Sequence, residues 1–486
     1  MAIDSLPRTS PPDTFPAPAA AGMTLRAKLI LMVLCAAQFI VALDFSILNV
    51  ALPVLGDDLG MSQADLQWAV TAFALPSGGF LLFFGRIADL YGRRRLFLSG
   101  LALFTVASVL ATLAWDPASF LAGRALQGLG AAVIVPTGMS LLTTTFAEGP
   151  QRERALGISG TLMSLGFTIG MVLGGVMTDS LGWRSTMGVL AVAGAGVLLA
   201  APGLLTESRR AERPRLDVPG AVTVTGGLLA LIYALSTAAQ RGFGGPDVIV
   251  TLGAGVLLLV AFAVVESRAA EPLVSLPMLR RPTVAWGNLA GLVTFAMMTT
   301  VVFLLTLYLQ EVLELSPVRT GLVFGVQGVL AALAGMTAPR VIARFGARNT
   351  LVAGMLTQAV FTAALLGLGV DSGAWLALTA VSLGCVGHLW AIVAYGVTAT
   401  SGLPDGEQGL ATGLVTSSQQ VGITIGIPLL SALASADIAA RREGGAGFAA
   451  ATLGGIKLGL GVDAAIVAVV AVLVAVGLRR ARATRP

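Results

Sequence analysis

Two ionisable residues of opposite charge, Asp44 and Arg124, stand inside long apolar segments of the chain. Asp44 is the only formally charged residue between positions 29 and 55. A charged side chain inside a bilayer is costly, and such residues mark ion pathways and proton relays. The two residues therefore predict proton chemistry within a membrane.

The depths of Asp44 and Arg124 match. Arg124 lies about seven residues, or roughly 10 Å, from the outer end of its segment, and Asp44 about nine residues, or roughly 13 Å. We expect them to approach each other directly, through water or through Gln127, so that the arginine's distance decides whether the carboxyl holds its proton. Two alternatives stay open. The pair could only hold helices together, or Arg124 could extend to the outer headgroups and meet no acid.

Other polar residues in the apolar segments are weaker candidates for a substrate cavity. His388 is the only histidine and could titrate near neutral pH. A lone intramembrane histidine is more often a packing or wall residue, and ordinary packing is an equally good interpretation of the others. The cavity candidates are Gln38, Asn49, Gln127, Tyr308, Gln327, His388, Trp390 and Gln419.

A turn after the second apolar segment holds one acid, Asp89, among four arginines between positions 85 and 95. Glycine permits a tight turn, and ion pairs of Asp89 with arginine can form and break as helices move. The alternative is that these charges only set the orientation of the chain. The predicted conformational gate consists of Gly85, Asp89, Gly92, Arg93 and Arg94.

Glycines also recur every four residues at Gly166, Gly170 and Gly174, and Gly175 follows. This spacing places them in one strip of a helix, where a neighbouring backbone can come close. Generic helix packing would need the same pattern.

The sequence excludes several other kinds of chemistry. Its two lysines, Lys28 and Lys457, follow Ala27 and Ile456, so no Gly-Lys pair exists and a P-loop is impossible. A single histidine also rules out the paired-histidine zinc helix. We therefore expect no enzyme, no metal and no cofactor, and transport driven by a proton gradient.

The composition places all these residues in a multi-pass membrane protein. Hydrophobic residues make up 56% of the chain and charged residues 11%, and the mean hydropathy is +0.88. A helical span needs roughly 20 apolar residues. Fourteen spans are predicted, at 29–55, 64–84, 96–114, 118–146, 155–178, 185–205, 218–238, 247–266, 284–310, 318–338, 349–369, 374–400, 410–432 and 455–478.

The distribution of basic residues predicts that both termini are cytoplasmic. Loops on the side of the termini hold 23 of the 30 lysines and arginines, the opposite side holds six, and Arg124 is the remaining one. This bias explains the net charge of +5 without a nucleic-acid partner. Cys35 and Cys385 both fall in spans and are expected to be small buried residues without a disulfide.

Residues 1–24 contain five prolines and lack the basic region followed by an apolar region that marks a signal peptide. This composition predicts a disordered cytoplasmic tail. Met23 could be the true start. The 28 arginines against two lysines suggest a bacterial genome rich in G and C.

The chain repeats itself. Positions 86–94 overlay 340–348 at an offset of 254, and 166–170 overlay 422–426 at 256. Span 2 therefore corresponds to span 10 and span 5 to span 13, which leaves spans 7 and 8 as an insert. Two parallel six-helix repeats place a substrate site between them near mid-membrane.

Several motifs carry a resemblance to a known family. Residues 85–95 resemble motif A of the major facilitator superfamily, and 43–53 resemble the first-span motif of its fourteen-span drug:proton antiporter family. Residues 124–132 resemble motif B, and the glycines within 166–175 resemble the antiporter motif C.

The resemblance covers residues 25–478, with two departures. Met171 stands where motif C carries proline, and Trp183-Arg184-Ser185 replaces the family's Trp-Arg-Trp. The family implies that the motif C strip lies where the two halves meet and helps to seal the pore. It also implies a proton-coupled exporter.

The predicted fold is thus an all-α major facilitator fold with a six-helix bundle at 25–205, a two-helix insert at 218–266 and a six-helix bundle at 284–478. The predicted function is export of lipophilic drugs or an antibiotic across the cytoplasmic membrane in exchange for protons, with Asp44 and Arg124 coupling the proton. We expect a monomer in the bilayer. Uptake of a small metabolite and a membrane receptor on a transporter scaffold are the alternatives. Relatives that expel dications are expected to use an acid in span 10, and this chain has none there. The resemblance therefore favours neutral, monocationic or amphiphilic substrates.

Overall fold

The computed structural model describes residues 23–61, 63–146, 150–207, 217–242, 244–269, 276–403 and 405–483, and every regular element within these ranges is a helix. The helices are α1 Leu25–Leu59, α2 Gln63–Gly79, α3 Leu81–Tyr91, α4 Arg93–Thr112, α5 Pro117–Thr145, α6 Pro150–Leu181, α7 Arg184–Leu204, α8 Val218–Arg241, α9 Pro246–Glu266, α10 Leu276–Leu279, α11 Pro282–Leu307, α12 Pro317–Phe345, α13 Ala347–Ala364, α14 Trp375–Thr400, α15 Asp405–Glu443 and α16 Phe448–Ala483.

The described residues contain 13 helices long and apolar enough to cross a membrane. The fourteenth predicted span is the pair α2 and α3, which is interrupted at Phe80. Pro76 lacks an amide hydrogen and glycines precede Phe80, so the helix is weak here. The backbone still continues, because Phe80 N donates to Pro76 O at 3.1 Å and Phe84 N donates to Phe80 O at 2.9 Å.

The spans form two bundles with the same internal packing. In the first, α1 packs on α6, and α4 lies against both α5 and α7. In the second, α11 packs on α15, and α13 lies against both α14 and α16. The prediction of two six-helix bundles is confirmed by this packing.

The repeat extends to individual hydrogen bonds. Gly92 and Gly346 both have positive φ, 108° and 81°, where each chain turns into the next helix. Two positions further on, Arg94 Nη2 donates to Pro202 O and Arg348 Nη2 donates to Ala475 O, both at 2.8 Å. The equivalent arginines therefore tie the same pair of helices together in each bundle.

The two inserted spans lie at the junction of the bundles. Helix α8 packs against both α2 and α15, and α9 packs on α8. The Trp68 and Tyr233 rings lie 5.9 Å apart. Gln67 Nε2 donates to Ser236 O at 2.7 Å, and the Ser431 hydroxyl donates to Gln67 Oε1. Gln67 thus joins both bundles and the insert.

Two smaller predictions concern the tail and the cysteines. The predicted tail lies outside the described residues except for its last two, of which Thr24 caps α1 by accepting from Ala27 N at 3.2 Å. Cys35 and Cys385 are both buried and free, as predicted.

Candidate functional site

Asp44 on α1 and Arg124 on α5 form a direct ion pair. Arg124 Nη1 lies 2.6 Å from Asp44 Oδ1, and the side chains are 1% and 0% exposed. The two side chains predicted to lie at the same depth are therefore in direct contact, and an extension of Arg124 to the outer surface is excluded. Asp44 Oδ2 has no hydrogen-bond partner in the described part of the chain.

The arginine is held by further partners. Its Nε donates to Ala69 O at 3.1 Å, and Nη1 also donates to Gln127 Oε1 at 2.9 Å. Gln127 Nε2 in turn donates to Ser108 Oγ at 2.8 Å. Gln127 therefore orients Arg124 as a second partner beside Asp44, and it does not line the cavity that lies between the two bundles.

A cavity lies between the two bundles. Its lining includes no aspartate, glutamate, lysine or arginine from the described residues. Aromatic rings and sulfur atoms make up much of the wall, and four glutamine amides supply hydrogen-bonding groups. The rings and thioethers are those of Phe45, Phe73, Phe167, Phe295, Phe324, Met163, Met171 and Met298, and the amides are those of Gln38, Gln327, Gln419 and Gln420.

Four of the predicted cavity residues line this space, namely Gln38, Gln327, His388 and Gln419. The His388 ring lies 5.5 Å from the Phe295 ring, and its Nδ1 is 3.4 Å from Gln358 Oε1. An amide and a ring are the contacts of a wall residue, which agrees with the interpretation favoured for this histidine.

Three other cavity candidates do not line this space in the described conformation. Asn49 Nδ2 donates back to Phe45 O at 2.7 Å on its own helix. The Tyr308 hydroxyl donates to Gly369 O at 2.8 Å, in the loop between α13 and α14. Trp390 Nε1 donates to Thr337 Oγ1 at 3.3 Å. Each side chain faces a neighbouring backbone or helix instead of the cavity.

Two rings separate the ion pair from the cavity. Phe45 and Phe73 both line the cavity, and their centroids lie 6.4 Å apart. The Arg124 Cζ atom lies 4.6 Å from the centroid of Phe73. One ring therefore contacts both the cavity and the guanidinium, whereas Asp44 and Arg124 are absent from the lining.

The glycine strip of α6 lies mainly within one bundle. A Cβ on Gly166 would stand 2.8 Å from Phe39 O, and one on Gly170 would stand 3.0 Å from Leu43 O; Gly174 is equally tight against α1. Only Gly175 faces the other bundle, at 2.5 Å from Pro317 O. The expectation that the strip lies where the halves meet therefore holds for Gly175 alone.

The seal between the bundles uses residues that were not predicted. On α12, a Cβ on Gly321 would stand 2.7 Å from Met171 O, and one on Gly325 would stand 2.8 Å from Val172 Cγ2. Gln310 Nε2 donates to Val50 O at 2.8 Å. These contacts close the side opposite the termini. Toward the termini, Gly160 and Gly335 have open space where a side chain would project.

The structure describes only part of the predicted conformational gate at positions 85–94. The Asp89 side chain lies outside the described residues, so its pairs with Arg93 and Arg94 stay predictions. Glu207, which follows α7, is an acid that contacts this turn. Its Oε1 accepts a hydrogen bond from Arg94 N at 3.2 Å, and a Cβ on Gly92 would stand 2.7 Å from the same oxygen. Gly85 lies in α3, where an added Cβ would be in ordinary contact with Pro136.

Some of these features had a signal in the sequence. Gly321, Gly325 and Gly328 follow the i, i+4, i+7 spacing of a helix face. Asp463, which is 0% exposed, is a second acid inside an apolar span, like Asp44. Glu207 follows a span with no pattern that would link it to Gly92.

Comparisons with known proteins agree with this architecture. The sequence model of the Major Facilitator Superfamily matches residues 34–427. The chain is 40% identical to the cephamycin export protein of Amycolatopsis lactamdurans over 84% of its own length and 85% of that protein. It is 36% identical to the puromycin resistance protein of Streptomyces alboniger over 92% and 89% of the two chains.

The fold is also that of solved transporters. A POT family transporter in complex with a thioalcohol conjugated peptide aligns with a TM-score of 0.70 and 14% identity, covering 94% of this chain and 96% of that one. The sequence matches, the duplicated bundles and the central cavity lead to one conclusion: this chain belongs to the major facilitator superfamily.

Proposed function

We propose that the protein is a bacterial exporter that expels lipophilic small molecules from the cytoplasm in exchange for protons. The observation that carries the proposal is the Asp44–Arg124 pair, buried behind two rings of a central uncharged cavity. Relatives over most of the chain are an antibiotic export protein and an antibiotic resistance protein, which supports export over uptake of a metabolite.

The cavity chemistry supports an uncharged or weakly charged aromatic substrate. Phenylalanine rings offer stacking faces, and glutamine amides both donate and accept hydrogen bonds. A multiply charged substrate would lose its hydration here without a countercharge in the wall. The predicted preference for neutral, monocationic or amphiphilic compounds is therefore retained.

Coupling would run through Phe73. With both termini cytoplasmic, the open side of the cavity faces the cytoplasm, and a substrate entering it meets Phe73 and Phe45. In the outward-open state, displacement of the Phe73 ring would loosen the guanidinium from Asp44, and the unpaired carboxylate would take up a proton from the outside. In the cytoplasm-open state, a substrate packed against the Phe73 ring would hold Arg124 on Asp44, so that the proton is released to the cytoplasm before the substrate is carried out. One subunit contains all the parts of this cycle, so it would act as a monomer.

The test is export from everted vesicles under an imposed pH gradient with ethidium, puromycin and a neutral aromatic antibiotic. We expect Asp44→Asn to abolish gradient-driven export while the folded protein stays in the membrane. Asp57→Asn is the matched control, because Asp57 is an exposed acid on the same helix. Export by Asp44→Asn at the wild-type level would remove Asp44 from the mechanism. Proton-driven movement in the opposite direction would instead establish uptake.

A further inference from the structure

Asp463 interrupts an apolar stripe in the last span. The buried face of α16 carries Ile456, Leu460, Asp463, Val467 and Ala471, at the spacing of one helix face. All five are 0% exposed, and Asp463 is the only polar member. The acid therefore occupies a place where packing alone would select an aliphatic side chain.

The carboxyl group is isolated. Neither Oδ1 nor Oδ2 has a hydrogen-bond partner among the described residues. Helix α16 packs against α11, α13 and α15, and also against the short helical turns Tyr308–Val312 and Leu365–Gly367. The first turn carries one acid, Glu311, and no cation, and the second has no charged residue. Helix α11 contains no titratable residue. On α13 the only one is Arg348, whose Nη2 is bonded to Ala475 O, three turns along α16 from Asp463.

The remaining neighbours also leave Asp463 without a countercharge. The acidic and basic residues of α15 lie in its terminal turns, at 405–407 and 437–443. Near Asp463, Gly459 faces Leu304 and Gly461 faces Leu366, both aliphatic. Tyr308, beyond α11, directs its hydroxyl to Gly369 O instead. Asp44 has Arg124, whereas Asp463 makes no ion pair with any cation that the structure describes; Lys457 on α16 itself lies six residues away.

Isolation of this kind decides the charge of the group. An ionised carboxylate without a partner is strongly disfavoured in an apolar interior, so the group is neutral in this conformation and carries a proton. A neutral acid without a hydrogen bond contributes nothing that leucine would not contribute better. Ionisable residues kept at membrane depth are a mark of ion or proton pathways.

We propose that Asp463 is a second proton site of the transport cycle, in the C-terminal bundle, so that two protons move per substrate. The inference rests on the proposed antiport and deepens it. In this cytoplasm-open state the Asp463 O–H bond is intact. When α11, α13 and α16 rearrange and admit water from the cytoplasm, that bond breaks and the proton passes to cytoplasmic water. The carboxylate then stays ionised until it takes up a proton from the outside in the outward-open state.

The experiment measures the limiting accumulation of ethidium, or of puromycin where ethidium is not exported, by purified protein in lipid vesicles. The membrane potential is held at zero and the pH difference at one unit. Each exchanged proton then supports about a 10-fold concentration ratio. We expect a ratio of about 100-fold for the wild type and about 10-fold for Asp463→Asn.

The outcomes separate the two proposals. Asp371→Asn, an exposed acid outside the spans, is the matched control and should behave as the wild type. A wild-type ratio near 10-fold, or an Asp463→Asn ratio equal to the wild type, would overturn the second site. Loss of transport in Asp463→Asn with substrate binding intact and rescue by Asp463→Glu would support it. Absence of pH-driven accumulation in the wild type would instead reject the antiport itself.

Asp463→Leu keeps the inference testable if the amide variant does not fold. Leucine completes the apolar stripe, so we expect it to raise the thermal unfolding temperature while it removes the second proton. A stable Asp463→Leu protein that still concentrates the probe about 100-fold would refute the proposal.

Discussion

Substitution of Gly321 by alanine should open the protein on the side opposite its termini. In the described conformation, the new Cβ would stand 2.7 Å from Met171 O on the other bundle, whereas ordinary contact begins at 3.4 Å. The neighbour is backbone, so it cannot rotate away, and α6 and α12 must separate by about 0.7 Å or strain. Overpacking of this kind costs about 1 to 3 kcal/mol.

That cost applies only to the conformation in which α6 and α12 touch here. In alternating access the bundles rock about the central site, and this contact is broken when the opposite side opens. A penalty of about 1 to 3 kcal/mol on one state changes the ratio of the two states by about 5-fold to 150-fold. Gly321→Ala should therefore raise the population of the state that is open on the side opposite the termini by that factor.

The assay is a spin-label distance measurement between the outer ends of α6 and α12, with labels at the exposed residues Asp179 and Arg319 and both native cysteines replaced. Gly335→Ala is the control, because it lies on the same helix with no atom within 4 Å of the added Cβ. An unchanged distance distribution in Gly321→Ala, equal to that of Gly335→Ala, would show that this contact does not govern the equilibrium.

Two further predictions concern the ring beside the ion pair and one cap outside the membrane. Phe73→Leu removes a ring contact with Arg124 worth about 0.5 to 2 kcal/mol. We expect substrate-induced proton release, followed with a pH-sensitive dye, to fall more in this variant than in the cavity control Phe167→Leu. Equal losses in the two variants would reject the Phe73 ring as the coupling element. The hydroxyl and the backbone N–H of Ser119 hold the pKa of Asp116, the N-cap of α5, below its ordinary value of 3.8. This stabilisation is present above that value and is lost as the pH falls through the lowered pKa. Thermal unfolding should therefore show a wild-type advantage over Asp116→Asn at neutral pH that disappears in acid, and a constant difference would contradict the assignment.

The ion pair could be predicted from the sequence because the depth of a residue in the membrane follows directly from its position along a span. Residue counts from the ends of two spans place Asp44 and Arg124 at one level, and two opposite charges at one level in an apolar medium have few other partners. The internal repeat was readable for a similar reason. Gly92 and Gly346 occupy equivalent turns, so both halves keep glycine where φ is positive.

It was harder to predict which neighbouring helix or cavity each helix face would contact. Tyr308 and Gln327 are both polar groups in apolar spans, yet only Gln327 lines the cavity. Helical periodicity tells which residues share a face, but the helix that covers this face depends on packing over the whole bundle. The α6 glycines illustrate the same limit: their spacing predicts a close neighbour, and only the structure identifies it as α1 for all but Gly175.

By itself, the sequence determined a membrane protein of fourteen spans, its duplication and a buried acid and arginine at one depth, because hydropathy, charge and spacing are local properties along the chain. Only the tertiary structure decided that Phe73 bridges the cavity and Arg124, that Gly321 seals the bundles and that Asp463 has no countercharge among the residues described. Each of these depends on which side chains from distant segments meet. Contacts of that kind follow from three-dimensional packing, which no single helix specifies.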